Sequence, residues 1–125
     1  MRYLLDTHVV LWWLTEPERL SEQAQTIIAD KTNSISVSSV SFWELAIKSS
    51  LGRVTIPRNL LSILNHNNFD ILPIIAEEAL SLVDLPNLHK DPLDRMLIAQ
   101  AKYNGLIFIT RDEAIQNYPI TLIKA

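Results

Sequence analysis

No cysteine occurs among the 125 residues. A disulfide framework and a thiolate-bound metal are therefore both excluded. That usage fits a reducing compartment, and a cytoplasmic location is expected. Glycine is nearly as scarce, with two in the whole chain. Two glycines can hardly build a phosphate-cradling P-loop or a G-x-G-x-x-G turn, and neither pattern is present. There is no G-x-S-x-G elbow for a serine hydrolase. The histidines His8, His66 and His89 lack the H-E-x-x-H spacing of a zinc hydrolase. The longest apolar run, Val9 to Leu14, is far too short to span a bilayer, so no membrane association is expected. The opening MRYLLDTHVVLWWL is broken by Asp6 and His8 and precedes no small-residue cleavage site, so it does not read as a signal peptide.

A basic surplus is missing too: the net charge is −3. Proteins that hold nucleic acid by neutralising phosphates are usually basic. The acidic balance weighs against non-specific binding of that kind. It leaves room for an enzyme whose acids gather at one place and hold cations there.

What is there is an ordinary globular balance, 48% hydrophobic and 20% charged. No repeat, linker or low-complexity run divides residues 1–125, so one domain is expected. Short β-rich runs alternate with helical patterns. RYLLD, SISVSS, FDILPI, LIFIT and ITLIK read as strands. Between them, THVVLWWLTEPERL reads as a helix ended near Pro17, and SEQAQTIIADK as one capped by Ser21. SFWELAIKSSLG reads as a helix with Gly52 past its end, and PRNLLSILNHN as one with Pro57 near its first turn. AEEALSLVDL, DPLDRMLIAQAKYNG and the short RDEAIQN complete the set. The alternation implies an α/β domain with a mainly parallel sheet. Ligands of such sheets bind beyond the carboxyl ends of the strands.

Four acids fall where that rule directs attention. Asp6 follows the first strand and also suits a helix N-cap. Glu44 lies on a helix with Ser41 and Lys48 as its only polar neighbours in a narrow strip. The apolar rest, including Trp43, Ile47 and Leu51, predicts a largely buried helix whose polar strip lines a cleft. A plain i,i+4 pair of Glu44 with Lys48 is the competing reading. Asp91, Pro92 and Asp94 stand at N-cap, N1 and N3 of the next-to-last helix pattern. Capping accounts well for Asp91 and less well for Asp94, whose side chain is short for the return bond. Asp112 follows the strand LIFIT, where Thr110 and Glu113 already have capping-box spacing. Carboxylates converging on one sheet edge repel each other unless a cation joins them. All-oxygen sites select hard cations, Mg²⁺ or Mn²⁺. Such cations activate water and stabilise charge on a phosphoryl group. Of the adjacent Trp12 and Trp13, one is expected in the core and the other at an oligomer interface or partly buried.

The stretches LLDTHVVLWWL, SSVSFWELAIKSSLGR, KDPLDRMLIAQA and FITRDEAI resemble the ordered acidic motifs of PIN-domain proteins, and more narrowly of VapC-type toxins of type II toxin–antitoxin systems. The resemblance covers nearly the whole chain. It implies a three-layer α/β/α sandwich and an acidic quartet of Asp6, Glu44, Asp94 and Asp112 holding Mg²⁺ or Mn²⁺, with Thr110 assisting. It further implies an endoribonuclease, often acting on tRNA or rRNA, that forms a homodimer and is blocked by a cognate antitoxin. Asp6 and Asp94 are expected to anchor the principal metal, with Asp112 and Glu44 completing the shell. The helix N-terminus is expected to keep Asp94 ionised. Lys48 and Arg95 are candidate phosphate contacts. Two rivals remain at this point. A haloacid-dehalogenase-like phosphatase wants D-x-D after the first strand, where His8 takes the second place. A non-catalytic binding module, or a PIN-fold nuclease with another RNA-processing task, is the other.

Overall fold

A computed structural model describes residues 1–125. Five strands form one sheet in the order β3-β2-β1-β4-β5: β1 Arg2–Leu5, β2 Ser34–Ser38, β3 Asp70–Leu72, β4 Ile107–Thr110 and β5 Leu122–Lys124. Every neighbouring pair is parallel. Six α-helices connect them: α1 Thr7–Thr15, α2 Glu22–Ala29, α3 Ser39–Ser50, α4 Leu60–His66, α5 Ala76–Leu80 and α6 Pro92–Asn104.

Strand periodicity divides the interior into two cores. Successive side chains point to opposite faces. Tyr3 and Leu5 of β1 join Val9, Val10, Ala24, Ile28 and Leu64 on one face. Leu4, between them, joins Leu97, Ile98, Ala101 and Phe108 on the other. Helices therefore cover both sides, and the three-layer sandwich expected of the motifs is the architecture found. α3 serves both cores, giving Leu45 to the first and Val40 to the second.

The chain builds β1, β2 and β3 outward in one direction, then returns to add β4 and β5 on the other side of β1. The order reverses between β1 and β4. A crevice opens at such a switch point, beyond the carboxyl ends of the two strands. Asp6 follows β1, and Thr110 ends β4.

Some elements depart from expectation. α4 begins at Leu60, not at Pro57, because Leu60 N first closes a turn onto Pro57 O at 3.2 Å. AEEALSLVDL breaks into α5 and a 3-10 turn at Ser81–Asp84. There the Ser81 hydroxyl donates to Glu78 O at 2.6 Å, the local bond by which serine competes with helix continuation. RDEAIQN makes only a 3-10 turn at Glu113–Ile115.

The largest departure is α3. Its polar Ser41 and Glu44 are buried, while Trp43, Ile47 and Leu51 are exposed by 58%, 39% and 60%. The helix is thus not largely buried, and its apolar stripe faces outward beside the crevice. Between α5 and α6, the buried carboxylate of Glu78 accepts from Ile75 N, Gln100 Nε2 and Asn104 Nδ2 at 3.0, 3.1 and 2.6 Å. Gln100 in turn accepts from Ser38, so this network fastens α5 and α6 to the end of β2.

Candidate active site

Asp6 is the N-cap of α1. Its Oδ1 accepts from Thr7 N at 2.7 Å. Its Oδ2 accepts from Thr110 Oγ1, also at 2.7 Å, across the β1–β4 switch point. The Thr110 hydroxyl also accepts from Asp112 N at 3.0 Å. The capping box expected of Thr110 and Glu113 does not form. Asp112 itself caps the following turn, its Oδ1 accepting from Ala114 N at 2.9 Å. The reason is positional: Thr110 is the last residue of β4, and its hydroxyl proton goes to Asp6.

Glu44 is held from both ends. Thr7 Oγ1 donates to its Oε1 at 2.9 Å, and Lys48 Nζ donates to Oε2 at 2.8 Å. The i,i+4 pair and the cleft placement are therefore both present. Ser41 Oγ lies 2.9 Å from the Thr7 hydroxyl. Since Thr7 gives its proton to Glu44, Ser41 is the donor in that contact. Thr7 is a site residue that the sequence reading missed. Its backbone orients Asp6 and its hydroxyl orients Glu44; its place directly after a strand-end acid was the available signal.

At the start of α6, Asp91 is the N-cap, with Oδ1 accepting from Leu93 N at 2.9 Å and Pro92 at N1. Asp94 does not reach back to the cap. Its Oδ2 lies 2.8 Å from His89 Nε2, and Asp112 Oδ2 lies 3.5 Å from the same nitrogen. One ligating atom from each of His89, Asp94 and Asp112 falls within 4.8 Å of the others. The tightest donor set is thus Asp94, Asp112 and His89. His89 was also missed. A histidine two residues ahead of an N-cap aspartate can fold over the first helical turn, and only that spacing hinted at it.

Arg95 is a correction. It does not line the cleft. Its guanidinium donates to Pro86 O at 2.9 Å and approaches Tyr118 Oη at 3.4 Å, so it clamps the loop before α6. Lys48 does line the cleft, together with two cations the sequence did not single out, Arg53 and Arg111. The cleft encloses about 440 Å³, and Asp6, Glu44, Asp91, Asp94 and Asp112 all border it. Trp12 forms another part of the wall, with the Arg111 guanidinium 4.5 Å from its ring centre. Trp13, by contrast, donates to Asn67 Oδ1 at 3.2 Å away from the cleft.

Crowding of acids shows in their proton affinities. Burial pushes the Asp6 carboxyl up, against the lowering influence of the Thr110 and Thr7 hydrogen bonds. Burial likewise pushes Asp94 up to about 6, aided by the charges of Asp6, Asp91 and Glu44 and opposed by the His89 hydrogen bond. Lost hydration and neighbouring carboxylates thus outweigh any lowering by the helix N-terminus, although a group titrating at about 6 is still mostly ionised at neutral pH.

Asp94, Asp112 and His89 fit a divalent cation. Octahedral metal–oxygen bonds of about 2.1 Å place adjacent ligand atoms about 3 Å apart. The observed 2.8 and 3.5 Å separations bracket that edge. A cation would also offset the carboxylate repulsion that raises Asp94.

Residues 3–120 match the profile of the PIN domain family. The chain belongs to that family. It is 30% identical to Ribonuclease VapC22 of Mycobacterium tuberculosis over 95% of this chain and 96% of that one. Among solved structures, VapBC2 from Rickettsia felis, bound to a promoter DNA fragment, superposes with a TM-score of 0.75 at 17% identity, covering 99% and 98% of the two chains. DNA-bound VapBC from Salmonella typhimurium gives 0.72 at 14% identity, with the same coverage of 99% and 98%. These structural likenesses establish the PIN fold, and the VapC-type resemblance of the four motifs holds.

Proposed function

We propose that the protein is a divalent-cation-dependent endoribonuclease, the toxin of a type II toxin–antitoxin pair. One observation carries the proposal: acids from four separate parts of the chain border a single cleft at the switch point of a parallel sheet. The ribonuclease name of the 30% identical relative supports RNA as the substrate class.

Asp94 and Asp112 would hold the cation, with Asp6 and Glu44 beside them. When bound, Mg²⁺ or Mn²⁺ supplies Lewis-acid stabilisation of phosphoryl charge and eases ionisation of the attacking water. The chain's own residues do the rest. Thr110 and Thr7 fix the two oxygens of Asp6, and Thr7 and Lys48 fix those of Glu44. Lys48, Arg53 and Arg111 place positive charge along an acidic cleft, where an RNA backbone can be held despite the negative net charge. Hydrolysis is direct, with no covalent enzyme intermediate.

An antitoxin partner is part of this reading. The exposed stripe of Trp43, Ile47 and Leu51 beside the cleft supports it, since such patches mark interaction sites. A homodimer is included too; Leu80 and Val83, exposed by 71% and 84%, offer a second apolar surface for it.

The test is RNA cleavage by purified protein with Mg²⁺ or Mn²⁺ and with EDTA. Cleavage that stops in EDTA and in Asp94→Asn is expected. Unchanged cleavage in either would overturn the mechanism. Expression of the chain alone should arrest growth, with relief by a neighbouring antitoxin reading frame; cleavage without arrest would point to another RNA-processing role.

A further inference from the structure

The nitrogen donor in this site has no counterpart in an all-carboxylate quartet. His89 Nε2 faces two carboxylate oxygens at once, Asp94 Oδ2 at 2.8 Å and Asp112 Oδ2 at 3.5 Å. Its hydrogen bond goes to Asp94, and Asp112 Oδ2 stands farther off. A cation lying between the three atoms would engage all of them. We propose that His89 is a direct ligand of the site's divalent cation, and that its imidazole tilts the site toward Mn²⁺ over Mg²⁺. The inference rests on the metal-dependent reading above.

Three observations carry it. The first is spacing: the three donor atoms lie within 4.8 Å of one another, with two separations near an octahedral edge. The second is availability on the acids. Asp112 commits Oδ1 to the backbone N–H of Ala114, which leaves Oδ2 turned to His89. The third is preorganisation. The loop carrying His89 is fastened on several sides. Tyr118, itself 3% exposed, accepts at its hydroxyl from Leu88 N at 3.2 Å and His89 N at 2.8 Å. Arg95 holds Pro86 O at 2.9 Å and Leu85 O at 3.5 Å. The arginine one residue after Asp94 is thus a positioning residue for the imidazole that meets Asp94. Ligand geometry of this kind depends on supports that lock the ligand's orientation.

The consequence for metal choice follows from ligand character. Mg²⁺ prefers oxygen donors and gives up its water reluctantly. Imidazole suits first-row transition ions better. Mn²⁺ accepts both donor types, so one nitrogen among carboxylates favours it.

The experiment is pulsed electron paramagnetic resonance on the full chain loaded with Mn²⁺, read together with Mn²⁺ and Mg²⁺ affinities by calorimetry. The expected result is ¹⁴N modulation of the Mn²⁺ echo that disappears in His89→Ala and persists in His8→Ala, a histidine that borders the cleft. His89→Ala should also lower Mn²⁺ affinity by about tenfold while changing Mg²⁺ affinity less. Bound Mn²⁺ without ¹⁴N modulation in the unaltered protein would sink the inference and leave the metal-dependent reading standing. Modulation that survives in His89→Ala would do the same. If Mn²⁺ and Mg²⁺ both fail to bind, the metal-dependent reading itself falls, and the role of His89 with it.

Discussion

The hydroxyl of Thr110 donates to Oδ2 of Asp6 at 2.7 Å, joining the end of β4 to the end of β1. The Thr110 hydroxyl oxygen in turn accepts from Asp112 N, so one buried side chain aligns two of the cleft acids. The bond also lowers the proton affinity of Asp6 against burial. Thr110→Val removes it at nearly constant volume. Asp6 should then hold its proton to higher pH and bind cations less well. We expect a loss of RNA cleavage of about 10–100-fold, the range for supports of metal ligands. A stability loss of about 1–3 kcal/mol should accompany it, from buried polar groups left unpaired. Thr110→Ser should keep most of both. Urea unfolding and calorimetric Mn²⁺ titration check the pair; equal behaviour of Val and Ser would refute the role.

Asp91 and Asp94 lie three residues apart at one helix start, yet the structure gives them different partners. Asp91 Oδ1 caps α6 through Leu93 N, whereas Asp94 Oδ2 turns to His89. Asn caps helices about as well as Asp. Asp91→Asn should therefore retain most cleavage and melt near the original temperature. Asp94→Asn should abolish cleavage and Mn²⁺ binding while folding normally. Side-by-side RNA cleavage and thermal melts decide this, and equal loss in both variants would defeat the division of labour.

The raised proton affinity of Asp94 has a definite sign for stability. Its folded value of about 6 lies above the ordinary 3.8. Between those values the folded chain holds a proton that the unfolded chain has released. The contribution is therefore fully present below about pH 4 and is lost as pH rises through about 6. Asp6 shifts in the same direction. Without divalent cation, the urea midpoint of Asp94→Asn should gain on that of the unaltered protein between about pH 4 and pH 7. Saturating Mn²⁺ should restore the unaltered protein at the upper end, because cation binding requires the ionised carboxylates. A difference that does not change with pH would contradict this.

Much of this site was legible before any geometry. The alternation of strands with helices gave the parallel sheet, and strand-end position singled out Asp6 and Asp112. What sequence could not supply was long-range. Glu78 reads as a surface acid on a short amphipathic helix, yet it is buried because Gln100 and Asn104, more than twenty residues away, supply its donors. His89 carries no periodic signal, and only the fastening of its loop to Tyr118 brings it over Asp94. α3 misled for a different reason. Its apolar stripe reads as core, although exposed apolar residues on a helix beside a cleft can equally be a surface for a partner.

Arg95 illustrates how an arginine beside a cleft acid can be mistaken for a phosphate contact. Its side chain is engaged by Pro86 O, Leu85 O and Tyr118 Oη, while Arg53 borders the cleft. The two should separate in the salt dependence of RNA binding. Each phosphate neutralised on a single strand contributes about 0.7 to the slope of log K against log salt. In an Asp94→Asn background, expected to leave the RNA uncut, Arg53→Gln should reduce that slope by up to about this amount. Arg95→Gln should leave the slope unchanged, because the guanidinium already serves the loop. Its effect should appear as a lower melting temperature, since two loop carbonyls and the Tyr118 hydroxyl lose a charged donor. Fluorescence anisotropy with a labelled RNA at several salt concentrations measures the slopes. A slope reduced by Arg95→Gln as much as by Arg53→Gln would return Arg95 to the phosphate contacts.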